Sequence, residues 1–288
     1  MKAGREHLRE AFNQSADVYD RIRPGYPDAL VDDVIALSGI PDQGRILEIG
    51  CGTGKATELF ASRGYWMDCL DIGSDLAAVA ALKFRGLGRV RVVVSSFEEW
   101  EPGERRYHLV IAATSFHWVD PKLAYLKSAA LLKPSGALAL FSNTPVRRNK
   151  GFFARVQDVY RACAPSIANN KPEPEKKAQE PPGLELFQEP VMRCYPWSAQ
   201  YSADQYIELL STYSDHIHLP DVERNALFQD VADLIRDEYG GSVLKHYQAV
   251  FSSKAIKAAL NNIGLLLDSR PFVHSLGGVD SLSYAGIR

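Results

Sequence analysis

A short apolar run, Arg45 to Ile49, leads directly into Gly50-Cys51-Gly52-Thr53-Gly54, and a helical pattern follows from Thr53 to Arg63. Few folds use that order. The run is too short for a helix and reads as a buried strand. Glycines at alternate positions let the backbone turn sharply and approach a ligand closely. A helix starting behind them presents unpaired N–H groups that favour a polar or anionic group. Strand, glycine turn and helix together form the ligand-binding corner of a doubly wound sheet, with the ligand beyond the carboxyl ends of the strands.

The flanking sequence repeats the alternation. Val31 to Leu37 is helical, Trp66 to Ile72 is a second strand, and Ser74 to Phe84 is a helix ended near Gly86. Val90 to Val94 and Tyr107 to Ala113 are the third and fourth strands. Both are apolar with little alternation, which predicts burial on both faces. Pro121 opens a helix to Leu132, Pro134-Ser135-Gly136 stops it, and Ala137 to Phe141 is a fifth strand. Strand and helix at this spacing predict βαβ units and a parallel sheet covered on both faces. After Thr144 the character changes. Gly151 to Cys163, Ser202 to Tyr213 and Asp221 to Tyr239 read as helices, and Pro190 to Trp197 and His246 to Ser252 as the last strands. Pro165 to Gly183, rich in Pro, Glu and Lys, reads as an exposed loop.

The expected architecture is therefore α/β: a Rossmann-like, doubly wound, mostly parallel seven-stranded sheet, with a helical cap inserted between the last strands. It divides into an N-terminal helical arm over the ligand (1–40), the Rossmann-like core (41–150), the last strands with the cap (151–253) and a C-terminal extension (254–288) in which Ala255 to Leu267 has helical character.

The glycine spacing narrows the ligand. A dinucleotide fingerprint needs G-x-G-x-x-G, but here the third glycine, Gly54, comes one position early and Lys55 takes its place. The P-loop pattern fails as well. Acidic Glu48, just before the first glycine, suits a ligand with a cationic end better than a diphosphate. Asp71, at the end of the second strand, suits a pair of ribose hydroxyls. S-adenosylmethionine has both features. Ser95-Ser96-Phe97-Glu98, after the third strand, is placed to bracket an adenine.

With these residues in view, Arg45 to Asn143 resembles the class I S-adenosylmethionine-dependent methyltransferases. Tyr19-Asp20-Arg21-Ile22-Arg23-Pro24-Gly25-Tyr26-Pro27 and Ser115-Phe116-His117-Trp118 narrow the resemblance to the methyltransferase type 11, trans-aconitate methyltransferase-like group; it covers roughly residues 10–253. The resemblance implies that Glu48, Gly50, Cys51, Gly52 and Gly54 cradle the methionine part of S-adenosylmethionine. It implies that Asp71 holds the ribose, that Ile72 lies against the adenine, and that Ser96, Phe97 and Glu98 line the adenine pocket. Ala112 and Ala113 would border the methionine end. Tyr19 and Arg23 would close over the cofactor, Arg23 facing its carboxylate. Ser96 stands where the family usually has Asp or Gly.

The reaction implied is in-line displacement at the methyl carbon, leaving S-adenosylhomocysteine. His117 is the candidate general base, with Tyr26 a second choice, if the acceptor must lose a proton. A carboxylate acceptor would need a cationic clamp instead, such as Arg147 or Arg148. Tyr26, Trp118 and Arg147 are the candidate acceptor contacts, and Tyr206, Tyr213, His216 and His218 of the cap are placed to line the same pocket. The expected partner is a small-molecule acceptor. A net charge of −2 gives no reason to expect nucleic acid or an anionic membrane. No metal is expected, because His216 and His218 lie on different helix faces with no third ligand nearby. The polar start of the chain and scattered Cys51, Cys69, Cys163 and Cys194 point to the cytoplasm, and a monomer or homodimer is expected. Two other readings stay open: a non-catalytic S-adenosylmethionine-binding or interaction protein on the same fold, and a dinucleotide-dependent oxidoreductase, against which the position of Gly54 argues.

Overall fold

The computed structural model describes residues 16–146, 150–168 and 180–257. Its centre is β1 (Arg45–Ile49), hydrogen-bonded in parallel to β2 (Trp66–Asp71) on one side and to β4 (Tyr107–Ala113) on the other. With β3 (Val90–Val94), β5 (Leu132–Pro145), β6 (Val191–Ser202) and β7 (Ser242–Ala255), the sheet runs β3-β2-β1-β4-β5-β7-β6. β1 to β5 are parallel; β7 runs antiparallel to both of its neighbours. The strand order reverses between β1 and β4, so the crevice for a ligand opens above the carboxyl ends of these two strands.

The buried β1 side chains sort to both faces, as a period of two requires. Ile46 meets Leu30, Val31 and Val34 of α2 (Asp28–Ser38) and Phe60 of α3 (Lys55–Ala61). Leu47 and Ile49 meet Phe97, Trp100 and the inner side of α5 (Ala124–Leu131). α4 (Ser74–Lys83) buries Leu76, Ala77 and Ala80 beside β2 and β3. A third cluster forms the cap. It joins Phe152 and Val156 of α6 (Phe152–Cys163), Leu209 and Leu210 of α8 (Ala203–Ser211), Leu227, Val231 and Ile235 of α10 (Asp221–Glu238), and Ile22 of α1 (Ala16–Ile22). Two four-residue helices, α7 (Pro165–Ala168) and α9 (Ser214–Ile217), complete it.

Four expectations change. β3 is an edge strand, half-exposed with Val94 at 57%, because only β2 flanks it; its apolar run reflects β-propensity rather than two-sided burial. The helix expected from Thr53 starts at Lys55, since Gly54 has φ +83° and lies outside a right-handed helix. The cap is fed by two connections, α6–α7 before β6 and α8–α10 between β6 and β7. The expected 165–183 loop is not open at its ends: Pro165–Ala168 is helical, and Pro181 and Gly183 are buried. Gly183, at φ +88°, brings its Cα so close to α5 that an added Cβ would lie 2.7 Å from the Leu126 backbone nitrogen. The middle of that loop and the helical reading of the C-terminal extension lie outside the described residues, apart from Ala255 in β7.

Candidate functional site

The site is built around the loop after β1. Gly50, Gly52 and Gly54 have φ of +68°, +55° and +83°, a region that side chains disfavour. Their surroundings give them different tasks. A Cβ on Gly50 would lie 2.5 Å from the Cβ of Ser115, whose hydroxyl donates to the Ile49 carbonyl. A Cβ on Gly54 would lie 2.4 Å from the buried ring of Phe84. These two glycines let the loop pack against the protein. Gly52 differs: the nearest atom to an added Cβ is Tyr19 Cε1, at 3.9 Å. Gly52 therefore faces an opening beneath Tyr19, where a ligand would come close to the backbone.

Asp71 pins this loop. One carboxylate oxygen accepts from the Gly52 N–H at 2.7 Å and the other from the Gly73 N–H at 2.8 Å. Burial raises its pKa above the usual aspartate value, against the pull of these backbone donors. Each oxygen has a further lone pair for a hydroxyl. Ile72, 36% exposed, is at the rim beside it. The Cys51 N–H donates to the Leu70 carbonyl at 2.8 Å, and the buried thiol is pushed up in pKa by desolvation.

Glu48 departs from the expected open cradle. It is 0% exposed beneath α3, and its Oε2 accepts from the Thr57 hydroxyl at 2.6 Å. Its Oε1 is buried with no hydrogen-bond partner among the described residues. Burial, reinforced by the nearby Asp71, pushes its pKa up to about 8. In this state it is a neutral acid behind the loop rather than a fixed anion.

After β3, the Ser96 hydroxyl accepts from the Glu99 N–H at 3.1 Å, and Phe97 is buried against Leu70 and Ile49. A Glu98 oxygen accepts from the Asp120 N–H at 2.9 Å. Glu98 thus joins the end of β3 to the segment after β4. β4 ends on Ala112, buried, and Ala113, half-buried; the segment after it carries Thr114 at φ +61° and a 3-10 turn, Phe116–Trp118. His117 is exposed on this turn with its ring 4.8 Å from that of Trp118. Tyr26 shares a hydrogen bond of 2.8 Å with Thr114 and sits edge-on to Phe141 at 4.9 Å. Desolvation raises its phenol above the ordinary range, so it stays a neutral hydroxyl at physiological pH. Arg147 and Arg148 lie outside the described residues.

α1 lies beside the loop and is tied near its C-terminal end to both the core and the cap. Asp20 pairs with Lys83 of α4 at 2.7 Å, Arg21 with Glu208 of α8 at 2.6 Å. Tyr19 lies near Gly52, and Arg23 is engaged with the cap. Its Nε donates to the Thr212 hydroxyl at 2.8 Å and a terminal nitrogen to the Thr212 carbonyl at 2.6 Å. The guanidinium also covers the Tyr19 ring at 5.1 Å and the Tyr213 ring at 4.5 Å. Arg23 thus joins the arm to the cap.

Of the cap residues, Tyr206 and Tyr213 face inward. His216, 4% exposed, is tied to the Tyr160 hydroxyl at 2.6 Å and to Asp215 at 2.8 Å. His218 is exposed on the outside of the turn.

Sequence reasoning did not single out Asn143, Thr114, Trp197, Tyr247 or Lys245. Asn143 donates to the Gly25 carbonyl at 2.7 Å and accepts from the Trp197 indole at 3.0 Å; Trp197 stacks on Tyr247 at 4.8 Å. Lys245 stands among these aromatics, 7% exposed, donating to the Tyr213 hydroxyl at 3.2 Å. Burial works against its charge, but the surrounding tyrosine oxygens outweigh burial and hold its pKa above the ordinary lysine value. A signal was present: in β7 the inward positions alternate, Val243, Lys245, Tyr247, Ala249 and Phe251, and a lysine occupies one of them.

Residues 46–136 match the methyltransferase domain family. The chain is 28% identical to an uncharacterised methyltransferase of Mycobacterium tuberculosis over 50% of this chain and 56% of that protein. It is 28% identical to the trans-aconitate 2-methyltransferase of Variovorax paradoxus over 42% of this chain and 44% of that one. It thus spans about half the length of these relatives. An uncharacterised methyltransferase of Schizosaccharomyces pombe is 25% identical over 80% of this chain and 88% of its own. Among solved structures, a protein from Anaeromyxobacter dehalogenans assigned as a type II methyltransferase superposes with a TM-score of 0.59 at 22% identity, covering 80% of this chain and 97% of that one. The fold is the Rossmann-like one of the methyltransferases.

Proposed function

We propose that this chain transfers the methyl group of S-adenosylmethionine to a small-molecule acceptor and releases S-adenosylhomocysteine. The observation that carries the reading is the opening at Gly52. Packing accounts for Gly50 and Gly54, whereas Gly52 faces space under Tyr19, with Asp71 fixed beside it by two backbone hydrogen bonds. The match of residues 46–136 to the methyltransferase domain supports it.

The residues present suit this cofactor. Asp71 would accept the ribose hydroxyls with Ile72 along the adenine, and Phe97 and Glu98 would shape that end. Gly50 to Gly54 and the backbone at Ala112 and Ala113 would border the methionine end, under Tyr19. Bound there, the sulfonium supplies an activated methyl group. The protein's own task is then alignment of the acceptor and exclusion of water. α1, held at Asp20, Arg21 and Arg23, covers the loop, and Tyr26 and Thr114 present hydroxyls where an acceptor would enter. His117, exposed on the turn after β4, would take a proton from an acceptor that must lose one. A small acceptor in the cytoplasm fits a near-neutral chain in which no described helix is long and apolar enough to cross a membrane.

Calorimetric titration with S-adenosylhomocysteine tests the reading, with NADH as comparator. Binding of the first and not of NADH is expected. Asp71→Ala removes the loop's pin and the ribose acceptor together, and should weaken Kd on the order of 10–100-fold. A folded wild-type protein that ignores S-adenosylhomocysteine would sink the proposal.

A further inference from the structure

We propose that the basic depression at the amino ends of β1, β4 and β5 is a binding site for a small phosphate-bearing anion, separate from the cofactor crevice. It goes beyond the methyl-transfer reading and does not depend on it.

The cations come from three separate stretches of chain. Arg45 opens β1, Arg105 and Arg106 directly precede β4, and Lys133 follows the first residue of β5. These strands are parallel, so their starts lie together at the end of the sheet opposite Gly50 and Thr114. There the four cations, with Pro102 and Glu104, line an open depression of about 600 Å³, a volume that suits a small molecule. The chain as a whole has 35 acids against 33 lysines and arginines, so the cluster is not the overflow of a basic protein.

The protein leaves these charges largely unanswered. Glu104 is the one acid on the lining, and no described carboxylate forms an ion pair with any of the four cations. Arg106 donates only to backbone carbonyls, those of Gly103 at 3.5 Å and Arg105 at 3.0 Å. Arg45 rests on the exposed ring of Trp66 at 5.6 Å. Guanidinium groups carry five donors each in a fork that matches phosphate oxygens.

His108 supplies an independent observation. Its Nδ1 accepts from the Arg45 backbone N–H at 3.0 Å, and its Nε2 lies 3.1 Å from Lys133 Nζ. A neutral imidazole has one acceptor nitrogen. With Nδ1 accepting, the ring proton is on Nε2 and faces the ammonium, donor against donor. The other tautomer moves the same conflict to the Arg45 N–H. Protonation does not relieve it: desolvation lowers the His108 pKa below the ordinary value, and Lys133 lowers it further. An anionic oxygen beside the pair accepts from both donors and removes the conflict.

The four cations surround one depression rather than forming a long stripe, and the chain is slightly acidic overall. Both features favour a small phosphate-bearing ligand over an extended nucleic acid. The exposed Trp66 ring, under Arg45, offers an apolar face at the rim for the organic part of an ester.

The test is calorimetric titration at low salt with inorganic phosphate, ribose 5-phosphate and AMP, against ribose and adenosine. At least one phosphate-bearing probe should bind about tenfold or more tightly than its neutral counterpart. Esters tighter than inorganic phosphate identify a phosphorylated metabolite as the source; phosphate binding as well as its esters identifies the free ion. The His108 ring signals in NMR spectra of wild-type protein should shift with the same Kd. Arg105→Gln/Arg106→Gln/Lys133→Met, at exposed or half-buried positions, should lose the preference and keep the wild-type Tm. Phosphate probes no better than ribose or adenosine would overturn the assignment, as would undiminished binding in the triple variant or His108 signals that do not move. A lowered Tm in that variant would make the cations structural. Poly(A) that binds more tightly per phosphate than AMP would replace the small-ligand site by a nucleic-acid surface. None of these readouts requires S-adenosylhomocysteine to bind, so failure here and failure of the methyl-transfer reading are distinct.

Discussion

Gly50→Ala should destabilise the protein on the order of 2–5 kcal/mol and abolish binding of S-adenosylhomocysteine. Two causes add. Alanine at φ +68° pays a conformational penalty of about 1–2 kcal/mol. Its Cβ would also sit 2.5 Å from the Cβ of Ser115, an atom one bond from the main chain that cannot swing aside. The loop after β1 and the segment after β4 would be forced apart across the crevice in which the ligand is expected. Urea unfolding measures the first effect and calorimetry the second. The double variant Gly50→Ala/Ser115→Gly separates the causes: it should recover the steric part and keep the conformational one. No recovery would assign the whole loss to backbone conformation. Gly88, with open space around it and no positive φ, is the control, and Gly88→Ala should change stability by less than about 0.5 kcal/mol.

The second large effect is in pH dependence. Glu48 has a pKa of about 8 in the folded protein, against about 4.3 for an unfolded glutamate. The folded state therefore holds the proton more tightly. Stability from this group is fully present below about pH 4 and is lost as pH rises through 8, reaching a cost on the order of 3 kcal/mol near pH 7. Glu48→Gln keeps the shape and the acceptor for Thr57 but cannot ionise. The difference in unfolding free energy between Gln variant and wild type should grow in favour of the variant from pH 5 to pH 8. Taking the difference cancels Asp71, whose raised pKa acts in the same direction. A difference that stays constant across this range would show that Glu48 is not the titrating group. Below about pH 4 the two proteins should be nearly equal in stability.

Much of the architecture was legible because the signals are local. A five-residue apolar strand, three alternating glycines and the helix behind them lie within one stretch of chain. Their backbone conformations follow from residue type: Gly50, Gly52 and Gly54 all have positive φ. Asp71 was legible as an acid beside the glycine loop because it stands at the end of the next strand. The parallel sheet followed from strand–helix alternation. The limits of the last strands were harder. β5 and β7 each extend over 14 residues, because β5 pairs with β7 from Ala137 to Pro145 and β7 pairs with β6 from Ser242 to Ser253, and pairing partners are not written in either segment.

Side-chain direction was the weaker inference. Glu48 was read as facing the ligand because it precedes the glycines, but a strand in mid-sheet sends alternate residues to opposite faces, and its turn puts it under α3. Arg23 was read against the cofactor, yet most of its partners come from Thr212 and Tyr213, far along the chain. Lys245 was passed over, although β7 alternates clearly, because a lone lysine ordinarily marks an outward position.

The sequence by itself determined the class of fold, the glycine-rich turn after β1 and the residue types at it, since these depend on backbone geometry over a few neighbouring residues. Only the tertiary structure decided which of three glycines faces open space, which acid is buried and neutral, and that two cations meet at one tyrosine under the cap. Those properties depend on burial and on distances between residues far apart in the chain, and no local pattern encodes either.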